Sequence, residues 1–409
     1  MKCRHCAAEL TFQLIDLGSA PPSNAYLTAI SLRRPEKWFP LKVLVCEECW
    51  LVQAESYSRA SELFNDEYAY FSSFSDAWLT HSKDYVDAMV SRFELHPASQ
   101  VVEVASNDGY LLQFVKARGI PCLGIEPTAS TANAARLKGI ESIERFFGTE
   151  LATELSASGR CADLTAANNV LAHVPDINDF VKGFSILLKP HGVSTFEFPH
   201  LYQLITERQF DTIYHEHFSY LSFTTVSKIF HSQGLSVFDV EQIGTHGGSL
   251  RVYAQRSDTG VQPVSERVGA MMRLESDAGM RMMKFYEGFE SDAQSAKAAL
   301  LKILVEAKLS GTKVAAYGAA AKGNTFLNYA GIKADLVSFV VDRNPAKQGK
   351  WMPGSRIPIV DESTLRRERP GVIVVLPWNI KDEVLSQLAY AREWGARFVV
   401  AQPRVAFVE

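Results

Sequence analysis

The residues best suited to chemistry form one run, Tyr214-His215-Glu216-His217, followed by Phe218-Ser219-Tyr220. Four titratable or hydrogen-bonding side chains stand on consecutive positions. Two are imidazoles, whose ordinary pKa of about 6.5 suits proton transfer close to neutrality. The same H-x-H pair could put two nitrogens on one metal, because residues i and i+2 of a strand face the same side. A histidine-rich polar loop with no chemistry is the third reading. Other parts of the chain separate the three.

Four of the six cysteines form two C-x-x-C pairs, Cys3 with Cys6 and Cys46 with Cys49. Each pair can present two thiolates to one cation from a tight turn. Together they make the closed four-thiolate set of a structural zinc site, with no position left for a reactive water. Residues 40–53 read as a β-hairpin carrying the second knuckle, and the segment between the pairs must form strands or loops of its own. Zinc thus has a better home than His215 and His217, and the chain offers no obvious third ligand for a metal-dependent hydrolase or lyase.

At 409 residues the chain should hold two or three domains, taking roughly 150 residues for each. Hydrophobic content of 47%, charge of 22% and a net charge of −4 describe an ordinary globular protein. No basic block points to nucleic acid. No run reaches the roughly 18 apolar residues that span a bilayer, and the first residues lack the apolar core of a signal peptide. The expected location is the cytoplasm, where paired thiols more often mean metal than disulfide. A monomer is expected, since no extended apolar or heptad stripe is evident.

The elements that must position the run are α/β in pattern. Residues 100–104 read as a strand, 105–109 as a tight polar turn, 110–118 as a helix and 121–126 as a second strand. Glu103 lies near the end of the first strand. Glu126 ends the second, where an acid can accept both hydroxyls of a ribose. The turn Ala105-Ser106-Asn107-Asp108-Gly109 is poor in glycine and a weak match to a pyrophosphate loop. It suits a nucleoside with no phosphate near the loop, as in S-adenosylmethionine. A strand at 162–167, a polar turn through Asn169 and His173, a helix at 178–188, a turn at 188–192 and a strand at 193–199 follow. That order resembles the second half of class I S-adenosylmethionine-dependent methyltransferases.

Two helices are read within 262–310. The chain then restarts as a second parallel unit over 311–409, with strands at 313–317, 336–342 and 372–376. Its first turn, Gly318-Ala-Ala-Ala-Lys322-Gly-Asn324-Thr325, is not a P-loop, because Lys322 precedes the second glycine. A helix start with these residues is still suited to an anion.

Taken in order, the four-cysteine head, Glu103-Val-Ala-Ser-Asn107-Asp108-Gly109-Tyr, Asn169-Val-Leu-Ala-His173, Tyr214-His-Glu-His217-Phe-Ser-Tyr220, His246-Gly-Gly-Ser-Leu-Arg251 and Tyr317-Gly-Ala-Ala-Ala-Lys322-Gly-Asn-Thr resemble the nucleotide-sugar C-methyltransferases. The resemblance spans nearly the whole chain. One departure is Ala105, where many methyltransferases carry glycine.

The resemblance implies a zinc-binding domain (1–70), a Rossmann-like methyltransferase domain (71–255), and a helical linker with a second Rossmann-like domain for a nucleotide sugar (256–409). It implies methyl transfer from S-adenosylmethionine to C3 of a 4-keto-6-deoxy hexose linked to dTDP or GDP, through an enolate. His217 matches the base. Tyr214, Glu216, His173 and Tyr68 complete the catalytic set, with His173 a candidate donor to the enolate oxygen. Glu103, Asn107, Asp108, Gly109, Glu126 and Asn169 are expected around the cofactor. His215, His246, Arg251, Lys322 and Asn324 are expected around the substrate. Two other readings stay open: a zinc-anchored nucleotide-sugar-binding protein, and a sugar-nucleotide oxidoreductase, which the weak glycine signature of both turns disfavours.

Overall fold

The computed structural model describes residues 1–55, 57 and 71–409. Three sheets organise them. The head is an antiparallel sheet of β1 (Phe12–Ala20), β2 (Phe39–Val45) and β3 (Val52–Ala54). The second knuckle forms the β2–β3 turn, as the hairpin reading requires. The alternating burial of β1 reflects a sheet with one face on the core.

The second sheet begins with β4 (Val101–Val104), β5 (Cys122–Ile125), β6 (Ser142–Ile143), β7 (Ala162–Asn168) and β8 (Leu188–Pro199), all parallel. β4 is apolar but for Glu103 and wholly buried, as expected of a strand covered on both faces. The chain then leaves for a short strand, β9 (Ser219–Tyr220), which pairs with β3 of the head. It returns as β10 (Leu235–Ile243) and β11 (Ser249–Arg256). The strand order β10-β11-β8-β7-β4-β5-β6, with β11 antiparallel to both neighbours, is that of class I methyltransferases.

Residues 188–192, expected as a turn, lie inside β8. Ala162 pairs with Leu188 and Leu164 with Val193, so residues 189–192 bulge from the ladder. Pro190 cannot donate to the ladder. A Cβ on Gly192 would stand 2.6 Å from the Ala162 carbonyl oxygen. The turn chemistry therefore survives as an interruption within one strand.

Helices Glu266–Asp277 and Phe289–Leu309 lead to the third sheet. It comprises β12 (Val314–Tyr317), β13 (Val340–Val341), β14 (Ile359–Val360), β15 (Val372–Val375), β16 (Arg397–Val400) and β17 (Ala406–Val408), all parallel except β17. The buried side chains do not divide by domain. One apolar cluster joins the head to the third sheet, and another joins the cysteines to the methyltransferase sheet. Among the described residues, no helix is long and apolar enough to cross a membrane.

Candidate active site

A cavity of about 430 Å³ opens where the three sheets meet. The carboxyl ends of β4, β5 and β7 form one wall, Tyr214, Glu216 and His217 a second, and the start of helix Ala321–Ala330 a third. In parallel sheets this end of the strands is where ligands collect.

The first wall is built by backbone strain and one acid. Ala105, Asn107 and Asn169 all have left-handed backbone, with φ of 59°, 49° and 54°, a conformation costly for alanine and readily taken by asparagine. The departure at Ala105 therefore falls where glycine would relax the chain. Gly109 is left-handed too, and a Cβ there would lie 2.4 Å from Ile140 Cδ1. Glu126 accepts the N–H groups of Asn107 and Thr128, one on each oxygen, both at 2.9 Å. Each oxygen keeps a lone pair for a ligand. Asn168 Oδ1, at the end of β7, is buried on this wall with no partner among the described residues. A paired acid and an orphaned acceptor suit S-adenosylmethionine, with Glu126 able to take the ribose and Asn168 a donor; Gly109, expected beside the cofactor, instead faces Ile140 and Ala135 and is not on the cavity wall.

The second wall fixes protonation. His217 Nδ1 lies 3.0 Å from the Thr212 carbonyl, so Nδ1 carries the hydrogen and the Nε2 lone pair takes the Tyr214 hydroxyl at 2.8 Å. His173 Nδ1 likewise donates to the Glu216 carbonyl at 2.8 Å. The two rings lie 4.6 Å apart. Burial drives His217 well below the usual histidine range, and the neighbouring His173 adds to this. Burial takes His173 down to about 4. Both are neutral at pH 7, so His173 has already given its one N–H and cannot also donate it to an enolate oxygen. Asn24, from the head, donates to both Glu216 oxygens at 2.8 Å. Burial nevertheless raises the Glu216 carboxyl to about 7.

On the third wall Lys322 Nζ lies 3.3 Å from the His246 carbonyl, 3.2 Å from Asn379 Oδ1 and 4.5 Å from the centre of the Trp378 ring. Burial lowers it to about 8, while Asp211 pulls the other way. Trp378 Nε1 donates to Asp211 at 2.8 Å and ties the third sheet to the loop below His217. His246 is left-handed (φ 57°), meets Trp78 edge-on at 5.3 Å, and is taken by burial to about 4.

Tyr214, Glu216, His217, His173, Asn107, Glu126, Asn169, His246 and Lys322 thus reach one cavity. Other expected residues are not brought to its wall. His215 turns away, its Nε2 3.1 Å from the Phe39 carbonyl and 3.2 Å from that of Pro40. It therefore shares no metal with His217. Arg251 is buried against Glu197, at 2.7 Å, and Glu241, at 3.2 Å. Asn324 is fully enclosed in its helix. Glu103 is buried behind the loop, its carboxyl raised by desolvation. Asp108 is held by Lys138 at 3.2 Å. Tyr68 lies outside the described residues. Asn24, Trp78, Asn168, Trp378 and Asn379 were not signalled by any motif; only the end-of-strand position of Asn168 could have marked it.

The four cysteine sulfurs lie within 4.8 Å of one another, with Cys3–Cys49 and Cys6–Cys46 both at 3.5 Å. Sulfurs 2.3 Å from a tetrahedral zinc are about 3.8 Å apart, so the set fits. Among the described residues no other group of three or more His, Cys, Asp or Glu side chains is spaced to hold an ion. In the second Rossmann-like unit, Asp342 follows β13 as Glu126 follows β5, and it is tied to its loop in the same way. It accepts the N–H groups of Ala319 and Asn344, both at 2.8 Å, and Lys347 Nζ lies 3.6 Å away.

A Rossmann-like sheet in this order, with an acid after β5 lining the cavity, is that of an S-adenosylmethionine-dependent methyltransferase. Family models match in three segments: "Putative zinc binding domain" over residues 3–64, "Methyltransferase domain" over 78–240 and "C-methyltransferase C-terminal domain" over 244–403. The C-methyltransferase NovU of Streptomyces niveus is 33% identical over 412 residues, covering 100% of this chain and 97% of that protein. The chain belongs to the C-methyltransferase family and has the family's zinc-binding domain at the four cysteines. Solved structures with similar folds include PH0226 of Pyrococcus horikoshii OT3 (15% identity, 46% of this chain, 94% of that one, TM-score 0.38). Another is the magnesium protoporphyrin IX methyltransferase of Synechocystis PCC 6803 with bound SAH (15%, 44%, 83%, TM-score 0.36).

Proposed function

We propose that the enzyme methylates C3 of a nucleoside-diphosphate-linked 4-keto-6-deoxy hexose, with dTDP or GDP as the nucleotide, in cytoplasmic deoxysugar synthesis. The observation that carries this reading is the Tyr214–His217 pair. A neutral imidazole with its lone pair toward a phenol faces the cavity that also holds Glu126. A C4 ketone acidifies the hydrogen on C3. The Tyr214 oxygen takes that proton as its own hydroxyl proton passes to His217 Nε2, the terminal base, and the electron pair moves onto the C4 oxygen. Glu216, its carboxyl near 7 and gripped by Asn24, donates to that oxygen in its protonated form. This replaces His173, whose N–H is already given away, and follows the general use of buried, neutral carboxyls as donors.

When bound, S-adenosylmethionine supplies an electrophilic methyl on a sulfonium that leaves as a neutral thioether. Glu126, Asn107, Asn168 and Asn169 would hold it in the cavity. Lys322 faces the diphosphate, with His246 and Asn379 beside it. The working division is residues 1–70 for zinc, 71–255 for methyl transfer and 256–409 for the nucleotide sugar, in a monomer. Mass spectrometry of the enzyme with adenosylmethionine and a panel of 4-keto sugar nucleotides tests the substrate. A gain of one methyl at C3 is expected, and no gain with any member would remove the sugar reading.

A further inference from the structure

The first knuckle reaches the run that carries His217 through a chain of hydrogen bonds. Gln53, in β3 and fully buried, donates from Nε2 to Cys3 Sγ at 3.2 Å. Its oxygen accepts the Arg4 backbone N–H at 2.9 Å and lies 3.4 Å from Arg4 Nη1. Arg4 Nη1 also donates to the Phe218 carbonyl at 3.1 Å, and its guanidinium sits over the Phe218 ring at 5.4 Å. Phe218 follows His217 directly. Its carbonyl takes the Ala54 N–H at 3.1 Å, and its own N–H goes to the Ala172 carbonyl at 2.8 Å, one residue before His173. A cysteine sulfur, an amide, a guanidinium and a peptide carbonyl are thus linked in series, ending one residue from the imidazole.

We propose that Arg4 and Gln53 are positioning residues that couple zinc occupancy of the knuckle to the placement of His217. Methyl transfer then depends on the zinc even though the metal touches no reacting atom. The proposal rests on the reading of His217 given above. An amide hydrogen-bonded to a metal-bound thiolate is a common way to orient a ligand; here the far end of the same amide continues to the active-site run. The backbone pairing alone is thin. β9 is two residues long and meets β3 at two positions, Val52↔Tyr220 and Gln53↔Ser219. The Ala54 N–H on the Phe218 carbonyl is a third tie, and the Arg4 donation to the same oxygen adds a charge-assisted one. It holds the run at the one peptide between that pairing and the imidazole.

The test compares Arg4→Met, Gln53→Leu and Arg4→Lys. Each is measured for zinc content, calorimetric affinity for adenosylmethionine, kcat and KM, and the ring N–H resonance of His217 in enzyme labelled with 15N-histidine. Arg4→Met should keep one zinc per chain and wild-type cofactor affinity while the His217 resonance shifts or broadens. Its kcat should fall about tenfold or more with KM changed less than about twofold, the signature of misplacement in the transition state. Gln53→Leu should act in the same direction. Arg4→Lys, which can still donate to Phe218, should recover part of both signals. An unchanged resonance and kcat in zinc-loaded Arg4→Met would overturn the proposal. So would losses that only track zinc loss, with Arg4→Lys no better than Arg4→Met. Should His217→Asn retain turnover while Arg4→Met still shifts the resonance, the base assignment fails and the positioning role stands.

Discussion

His217 is set up to accept a proton by what surrounds it. The Thr212 carbonyl fixes Nδ1–H, and burial keeps the ring uncharged well below neutrality. His217→Asn should therefore lower kcat by at least about a hundredfold, the range of a lost general base, while calorimetry finds adenosylmethionine affinity unchanged. The same burial argument predicts an unusual pH profile. No acidic limb near 6.5 is expected, because the site's imidazoles are already neutral there. Glu216 donates only when protonated, so kcat/KM should fall as pH rises through about 7. Glu216→Gln keeps a donor that does not titrate and should hold its rate until about 8, where Lys322 loses its proton. An unshifted profile in Glu216→Gln would contradict the donor role. Residue type alone leaves the two imidazoles equal, and only the family resemblance puts His217 ahead of His215. The two differ only in which carbonyls the fold brings beside them, Phe39 and Pro40 for one and Thr212 for the other.

At the scale of elements, the cofactor wall depends on a loop with three left-handed residues before its helix. Gly109→Ala must move Ile140 or the loop, since its Cβ would sit 2.4 Å from Ile140 Cδ1 at a φ of 75°. It should destabilise the protein by about 1–3 kcal/mol in urea unfolding and weaken adenosylmethionine binding. Wild-type values for both would contradict the close approach inferred here. The strand–turn–helix order of this region was legible because each buried strand is a short apolar run bounded by turn residues. The placement of Asn24 was not. It approaches Glu216 only because β9 leaves the methyltransferase sheet to pair with β3, a connection no local pattern encodes. The extent of β8 was misjudged for a related reason. Pro190 and Gly192 mark a turn in sequence, but Ala162 and Leu188 re-pair beyond the bulge.

The whole molecule is a cavity closed by three sheets, and the cysteine head contributes to two of its interfaces. Cys46→Ser should abolish zinc binding and lower the thermal midpoint. His217→Asn should retain one zinc per chain by metal analysis, since the sulfurs alone form the site. Zinc lost with His217→Asn instead would return the metal to the histidine run. The four-cysteine spacing made the metal legible from sequence. The hydrogen-bonded path from Cys3 to Phe218 was not, because Gln53 and Arg4 are ordinary residues until the fold stacks them. The second Rossmann-like unit shows the same limit. Its pattern was readable, but the ties of Asp342 to its own loop and to Lys347 were not.

The most direct test follows exchange of the C3 hydrogen of a 4-keto sugar nucleotide in deuterated water, with S-adenosylhomocysteine in place of the methyl donor so that no transfer occurs. Deuterium should enter C3 with wild-type enzyme, enter at or near background with His217→Asn, and enter more slowly with Tyr214→Phe. Exchange at the wild-type rate in His217→Asn would show that another group removes the proton and would contradict the account of this site.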